Sequence, residues 1–200
     1  MRRCRVSVSV RVFLAAAVAS ALLSGCKSDP EPSTGLTPQS ESSGPPLVLP
    51  SLADGKNCPV SIERRVTPEF GPALGDGPIY PVGIPHGLLE FIYPTVKTQL
   101  WYPSAWGGQK VLWVAEPSYT GPILIRGGRI DAPGGLGFGD QSVPDWKMSF
   151  PAGEAVVNDG WRQFPSYTRL KAPGCYAYQI DGDGFRTLIV FEAAVFADLG

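Results

Sequence analysis

Aromatics and carboxylates are the residues in this sequence whose types could do chemistry. Trp101, Tyr102, Trp106 and Trp113 fall within thirteen residues. Exposed, such rings make flat platforms for sugars or anchors for a protein partner. Buried, they fill the core of a small β domain, the usual fate of tryptophan there. These four are the candidate binding surface. Asp131, Asp140, Asp145, Glu154 and Asp159 supply carboxylates near aromatics, the raw material of glycoside hydrolysis, yet no spacing singles out a pair. His86 is the one histidine and stands in Pro85-His86-Gly87. No serine has the G-x-S-x-G setting of a nucleophile, so no catalytic residue is assigned. One imidazole also excludes the His-rich zinc and copper sites. Asp181, Asp183 and Gly184 begin like a calcium loop, but Phe185 and Arg186 stand where it needs an acid or amide and a glycine. A hairpin turn accounts for them better. Gly135, Gly137 and Gly139 do not follow the dinucleotide fingerprint, and Arg126-Gly127-Gly128-Arg129 is most simply a turn. Neither metal nor cofactor is expected.

A scaffold must hold those residues, and composition limits what it is. The chain has 200 residues, of which 24 are Gly and 21 Pro, too many for long helices. With 44% hydrophobic and 10% aromatic residues it is not disordered as a whole. Its short apolar runs are punctuated by Pro and Gly. Val60, Ile62 and Arg64 alternate with Ser61 and Glu63 in a strand-like period of two that begins at Cys58. Leu88–Tyr93, Gln99–Tyr102, Lys110–Ala115 and Pro122–Ile130 are further candidate strands. Cys175–Ile180 and Phe185–Ala193 flank Asp181-Gly182-Asp183-Gly184, a strong hairpin signal. That pairing sets Tyr176, Tyr178 and Ile180 on one face with Phe185, Thr187 and Ile189. Pro133–Gly139 is expected to be a long surface loop. Several short strands with turns at intervals predict an all-β sandwich.

The N-terminus carries an address. Arg2, Arg3, Arg5 and Arg11 precede Val12–Leu23, an apolar stretch interrupted only by Ser20. Twelve residues are too few for a membrane span, which takes about 20. A cationic start and a short apolar run form a secretory signal. Leu23-Ser24-Gly25-Cys26 then resembles the lipobox of bacterial lipoproteins, in which the cysteine thiol is acylated and the chain is cut before it. The resemblance implies residues 1–25 as signal peptide and Cys26 as the lipidated residue. Two acyl chains give stable anchoring.

Of the four cysteines, Cys4 would leave with the signal and Cys26 would take lipid. Cys58 and Cys175 remain, an even pair in an exported chain and the expected disulfide. There is no C-x-x-C to suggest a redox pair. Four of the 17 basic residues leave with the signal, so 13 face 18 acidic residues in the mature chain. That balance argues against nucleic acid. From Lys27 to Ser51 the chain is rich in Pro, Ser, Thr and Gly and holds no aromatic. Residues 26–54 are therefore expected to be the lipidated cysteine and a flexible tether, and residues 55–200 the domain. Trp161, Pro165-Ser166 and Pro173-Gly174-Cys175-Tyr176 before a final hairpin resemble uncharacterised bacterial lipoproteins with an immunoglobulin-like sandwich. A tryptophan ahead of a late-strand cysteine is similar to the immunoglobulin pattern, although position 173 is Pro where that pattern has tyrosine.

The expectation is a lipid-anchored protein on the extracytoplasmic face of a membrane, the inner or the outer one if the cell has two. Its domain would be a non-enzymatic binding or envelope module for a carbohydrate or protein ligand. The alternative is a cell-surface glycosidase using paired carboxylates. Cys26→Ser should leave the chain unprocessed or release it from membranes. Maturation and fractionation identical to wild type would refute the anchor.

Overall fold

The computed structural model describes residues 44–153 and 156–196. Residues 1–43, which include the expected signal peptide, Cys26 and most of the expected tether, lie outside the described residues. Among the described residues twelve strands follow one another: β1 (Glu63–Arg65), β2 (Pro72–Leu74), β3 (Ile79–Val82), β4 (Leu88–Phe91), β5 (Gly107–Ala115), β6 (Ile123–Arg129), β7 (Leu136–Phe138), β8 (Lys147–Phe150), β9 (Val156–Asn158), β10 (Trp161–Leu170), β11 (Gly174–Gly182) and β12 (Phe185–Val195). The first sheet runs β1-β2-β3-β5-β10-β7, with β9 also pairing β10; the second runs β4-β12-β11-β6-β8. Among these strands β4 pairs β12 in parallel and the other neighbours are antiparallel. Two bridges, Ile92 with Gly108 and Gly128 with Gly135, stitch one sheet to the other. The architecture is the expected all-β sandwich.

Alternation builds its core. Tyr176, Tyr178 and Ile180 of β11 point inward between Phe91, Ile189 and Phe191 of the second sheet and Val111, Trp113 and Leu170 of the first. Tyr178 sits at the centre. Its ring meets Trp113 edge-on at 4.9 Å and stacks on Phe191 at 4.5 Å. A fully buried phenol needs a partner, and Thr168 of β10 supplies one across the sheets at 2.6 Å. Burial pushes the Tyr178 hydroxyl well above its ordinary range, so it stays neutral. The hairpin register matches the sequence reading, with Tyr178 opposite Ile189 and Ile180 opposite Thr187. The turn itself is the two residues Asp183-Gly184, Gly184 taking a positive φ of 79° as such a tight loop requires.

A sandwich leaves two outer faces that also need cover. On the second sheet the cover is the chain ahead of β1. Val48 donates its backbone N–H to Gln179 Oε1 at 2.7 Å, and Gln179 Nε2 donates back to the Pro46 carbonyl at 3.0 Å. Leu52 N–H reaches the Ile130 carbonyl. Leu49 and Leu52 pack with Ile130, Cys175 and Ala177. Gly128 makes room for this strap, because a Cβ there would stand 3.0 Å from Leu49. The strap is then stapled: Cys58 and Cys175 are bonded, their Cα atoms 5.4 Å apart. Beyond the staple, Ser61 hydrogen-bonds Val190 through both its N–H and its hydroxyl. Residues 46–52, expected to belong to the tether, are instead fastened to the second sheet. Composition hid this, because one leucine and one backbone N–H per few residues suffice when the sheet provides the partners.

Other local expectations are corrected by partner strands. Gln99–Tyr102 forms turns, not a strand. Arg126–Arg129 is the end of β6, with glycines packed close beneath Ala177 and the strap. Pro133–Gly139 contains β7, which pairs β10 and is buried. The strand expected from Cys58 shrinks to the exposed β1. The tryptophan–cysteine likeness does not extend to packing, since Trp161 lies against Phe70 and Tyr80 in a cluster separate from that around Cys175. Deleting residues 45–52 should lower stability by about 2 kcal/mol, roughly 5 °C in thermal midpoint. An unchanged midpoint on calorimetry would show that the strap does not belong to the fold.

Candidate functional site

The four aromatics singled out in the sequence do not share a surface. Trp113 lies in β5 on the inward side and is fully buried, so it belongs to the core. Trp101 is buried too, at 8% exposure, but on the outer face of the first sheet. Tyr102 is exposed at 41%. Trp106 is half-buried beneath the Lys171 ammonium, 4.7 Å from its ring centre. The alternation of β5 decides the split. It turns Trp113 inward, while the loop before it lays Trp101 over the sheet.

Arg169 holds that loop. It is fully buried in β10, where its guanidinium donates to the carbonyls of Gly107 (3.2 Å), Gly139 (3.3 Å), Gln141 (2.7 Å) and Trp106 (3.1 Å). Trp101 lies over it at 4.1 Å. Burial pulls the Arg169 guanidinium down to about 10, Asp140 countering in part, so it remains cationic at neutral pH. Gly108 is a steric requirement of this stack: a Cβ would stand 2.7 Å from Arg169 Cδ and 3.0 Å from the Trp101 ring. Trp101 itself has φ +74°, a left-handed conformation that costs a bulky residue about 1–3 kcal/mol. Strain of that kind persists where surroundings over-determine it, and it gathers at binding sites.

Tyr167, two residues before Arg169, meets Trp101 edge-on at 5.2 Å. Open depressions lie to either side of it. One, of about 230 Å³, is lined by Ile92, Leu100, Trp101, Gln109, Lys110 and Tyr167. The other, of about 420 Å³, is lined by Phe138, Asp140, Asp145, Lys147, Ser149 and Tyr167. Two of the five candidate carboxylates thus share a depression. Asp145 accepts from the Gln141 amide. Asp131 is instead paired with Arg129 at 2.6 Å, Asp159 sits in a tight turn, and Glu154 lies outside the described residues. His86 is almost fully exposed beside the Glu63 carboxylate, 3.7 Å away. Asp181 is no metal ligand in this setting. Burial opposes its charge, but hydrogen bonds from Gln179, Arg186 and Arg126 outweigh that and hold its carboxyl below the usual range.

Tyr167, Arg169 and Trp146 were not foreseen. Tyr167 and Arg169 belong to β10, whose alternation in Trp161–Leu170 is interrupted by Pro165. That proline falls between the stretches paired to β9 and to β7, where no ladder on that side needs its N–H. Trp146 is 57% exposed with the Lys147 ammonium 5.0 Å over its ring; its neighbours gave no periodic signal.

No family model and no curated protein matches the chain. One solved structure is similar, titled "X-ray Crystal Structure of a Putative Lipoprotein from Bacillus anthracis". It is 14% identical, with a TM-score of 0.45, covering 69% of this chain and 87% of that one.

Arg169→Met should cost about 3 kcal/mol in chemical denaturation and collapse the near-ultraviolet signature of Trp101, because four carbonyls lose their donor together. A loss below about 1 kcal/mol would show that the two loops hold themselves.

Proposed function

We propose that this chain is a lipid-anchored, extracytoplasmic binding module, carried by Cys26 and presenting the paired depressions around Tyr167 to a carbohydrate. The strained, arginine-held Trp101 edge-on to Tyr167 is the observation that carries this reading. A sugar offers an apolar face of C–H groups and a rim of hydroxyls. The Tyr167 ring suits the first, and Gln109, Lys110, Asp140, Asp145 and Lys147 suit the second. Because the rings are fixed before binding, little side-chain entropy remains to be lost. The Cys58–Cys175 bond supports export, since such bonds persist in oxidising compartments.

A second reading, a carboxylate glycosidase, is favoured by Asp140 and Asp145 lining one depression. Glycan-array binding and hydrolysis assays separate the two. Tyr167→Ala should weaken binding of a captured glycan about tenfold, worth 1.4 kcal/mol, while Asp140→Asn and Asp145→Asn leave no hydrolysis to lose. Turnover by wild type that vanishes in either Asn variant would replace the module with an enzyme. Unchanged affinity in Tyr167→Ala would move the ligand elsewhere.

A further inference from the structure

The chain enters the domain at a place with its own exposed apolar surface. Gly44 is the eighteenth residue after Cys26, and a chain of that length spans at most about 60 Å. Pro45 lines a depression of about 440 Å³ together with Pro122, Phe150, Pro151 and Lys147. Immediately after it, Leu47 is 43% and Val48 56% exposed, although the backbone of Val48 is pinned to Gln179. The Lys147 ammonium in turn lies over the ring of Trp146, which is 57% exposed. Pro45, two residues ahead of Leu47, and Trp146 thus approach one lysine from segments far apart in sequence.

We infer that this end of the sandwich rests on the bilayer to which Cys26 is anchored, with Leu47, Val48 and Trp146 in the interfacial zone of zwitterionic phospholipid. The inference depends on the lipid-anchor reading; it shares Lys147 with the carbohydrate reading but does not rest on it. Indole is suited to the headgroup boundary, where an apolar ring and one N–H donor are both accommodated. Lys147, lying over that indole, can extend its ammonium toward phosphate while its stem stays on the ring. Charge does not drive the contact: Asp140, Asp145 and Asp183 border the same two depressions, and the mature chain is acidic. The contact is held by apolar side chains at the high local concentration the anchor imposes.

The test uses the full chain, lipidated in a bacterial host and reconstituted into phosphatidylcholine vesicles with or without brominated acyl chains. Brominated lipid should quench part of the tryptophan emission of wild type. Trp146→Phe should lose most of that quenching, and 0.5 M salt should not change it, about 4 Å being the screening length there. Leu47→Ser with Val48→Ser should reduce the quenching while leaving the circular dichroism of the domain intact. Equal quenching in wild type and Trp146→Phe, or none in membrane-bound wild type, overturns the inference and leaves the anchor standing. Wild type found wholly in the soluble fraction overturns both. Protection of Trp146 that rises with concentration in unanchored Cys26→Ser would instead assign the surface to a second copy of this chain.

Discussion

The covalent bond between Cys58 and Cys175 is the constraint on which the rest of this fold depends. It closes a separation of 117 residues, so every strand from β1 to β10 lies within the loop it defines. In the chain-entropy picture a closure of that length stabilises by about 4–5 kcal/mol, comparable with the whole net stability of a small domain. Its position matters as much as its size. Cys175 sits on the outward side of β11, so the bond does not join the two sheets. It fastens the strap to the back of one of them, where Leu49 and Leu52 shield Ile130 and Ala177.

A similar problem on the opposite face is solved without a covalent bond. There Arg169 satisfies carbonyls from the β4–β5 and β7–β8 loops at once and seats Trp101 on the sheet. Loops this irregular, rich in Gly and Pro, cannot satisfy their own carbonyls as helices and strands do. A guanidinium with five donors in a planar fork meets that need better than any other side chain. Arg162 acts alike at the other end of β10, donating to the carbonyls of Gly121 and Pro151. Two buried arginines on one strand thus replace the missing secondary structure around it.

These devices give the surface its division of labour. Rigid aromatics flank Tyr167 on the outside of the first sheet, while the chain enters along the outside of the second. Lys147 and Ser149 of β8 line depressions on both sides.

What the sequence determined by itself was local. The Arg-rich start, the apolar run and the likeness of Leu23-Ser24-Gly25-Cys26 to a lipobox are read from order alone and need no fold. The β11–β12 hairpin was legible because its turn chemistry and its period of two act over adjacent residues. The bonded pair followed from counting cysteines. Only the tertiary structure decided the rest. Whether Trp101 and Trp113 share a surface depends on which side of β5 each faces, and that is settled by Tyr178 on another sheet. β10 was hidden by Pro165, harmless only because its neighbours β9 and β7 leave a gap there. Gly- and Pro-rich segments such as Pro46–Leu52 and Leu136–Phe138 have little propensity of their own. Burial against strands distant in sequence ordered them, and composition carries no record of a partner that far away.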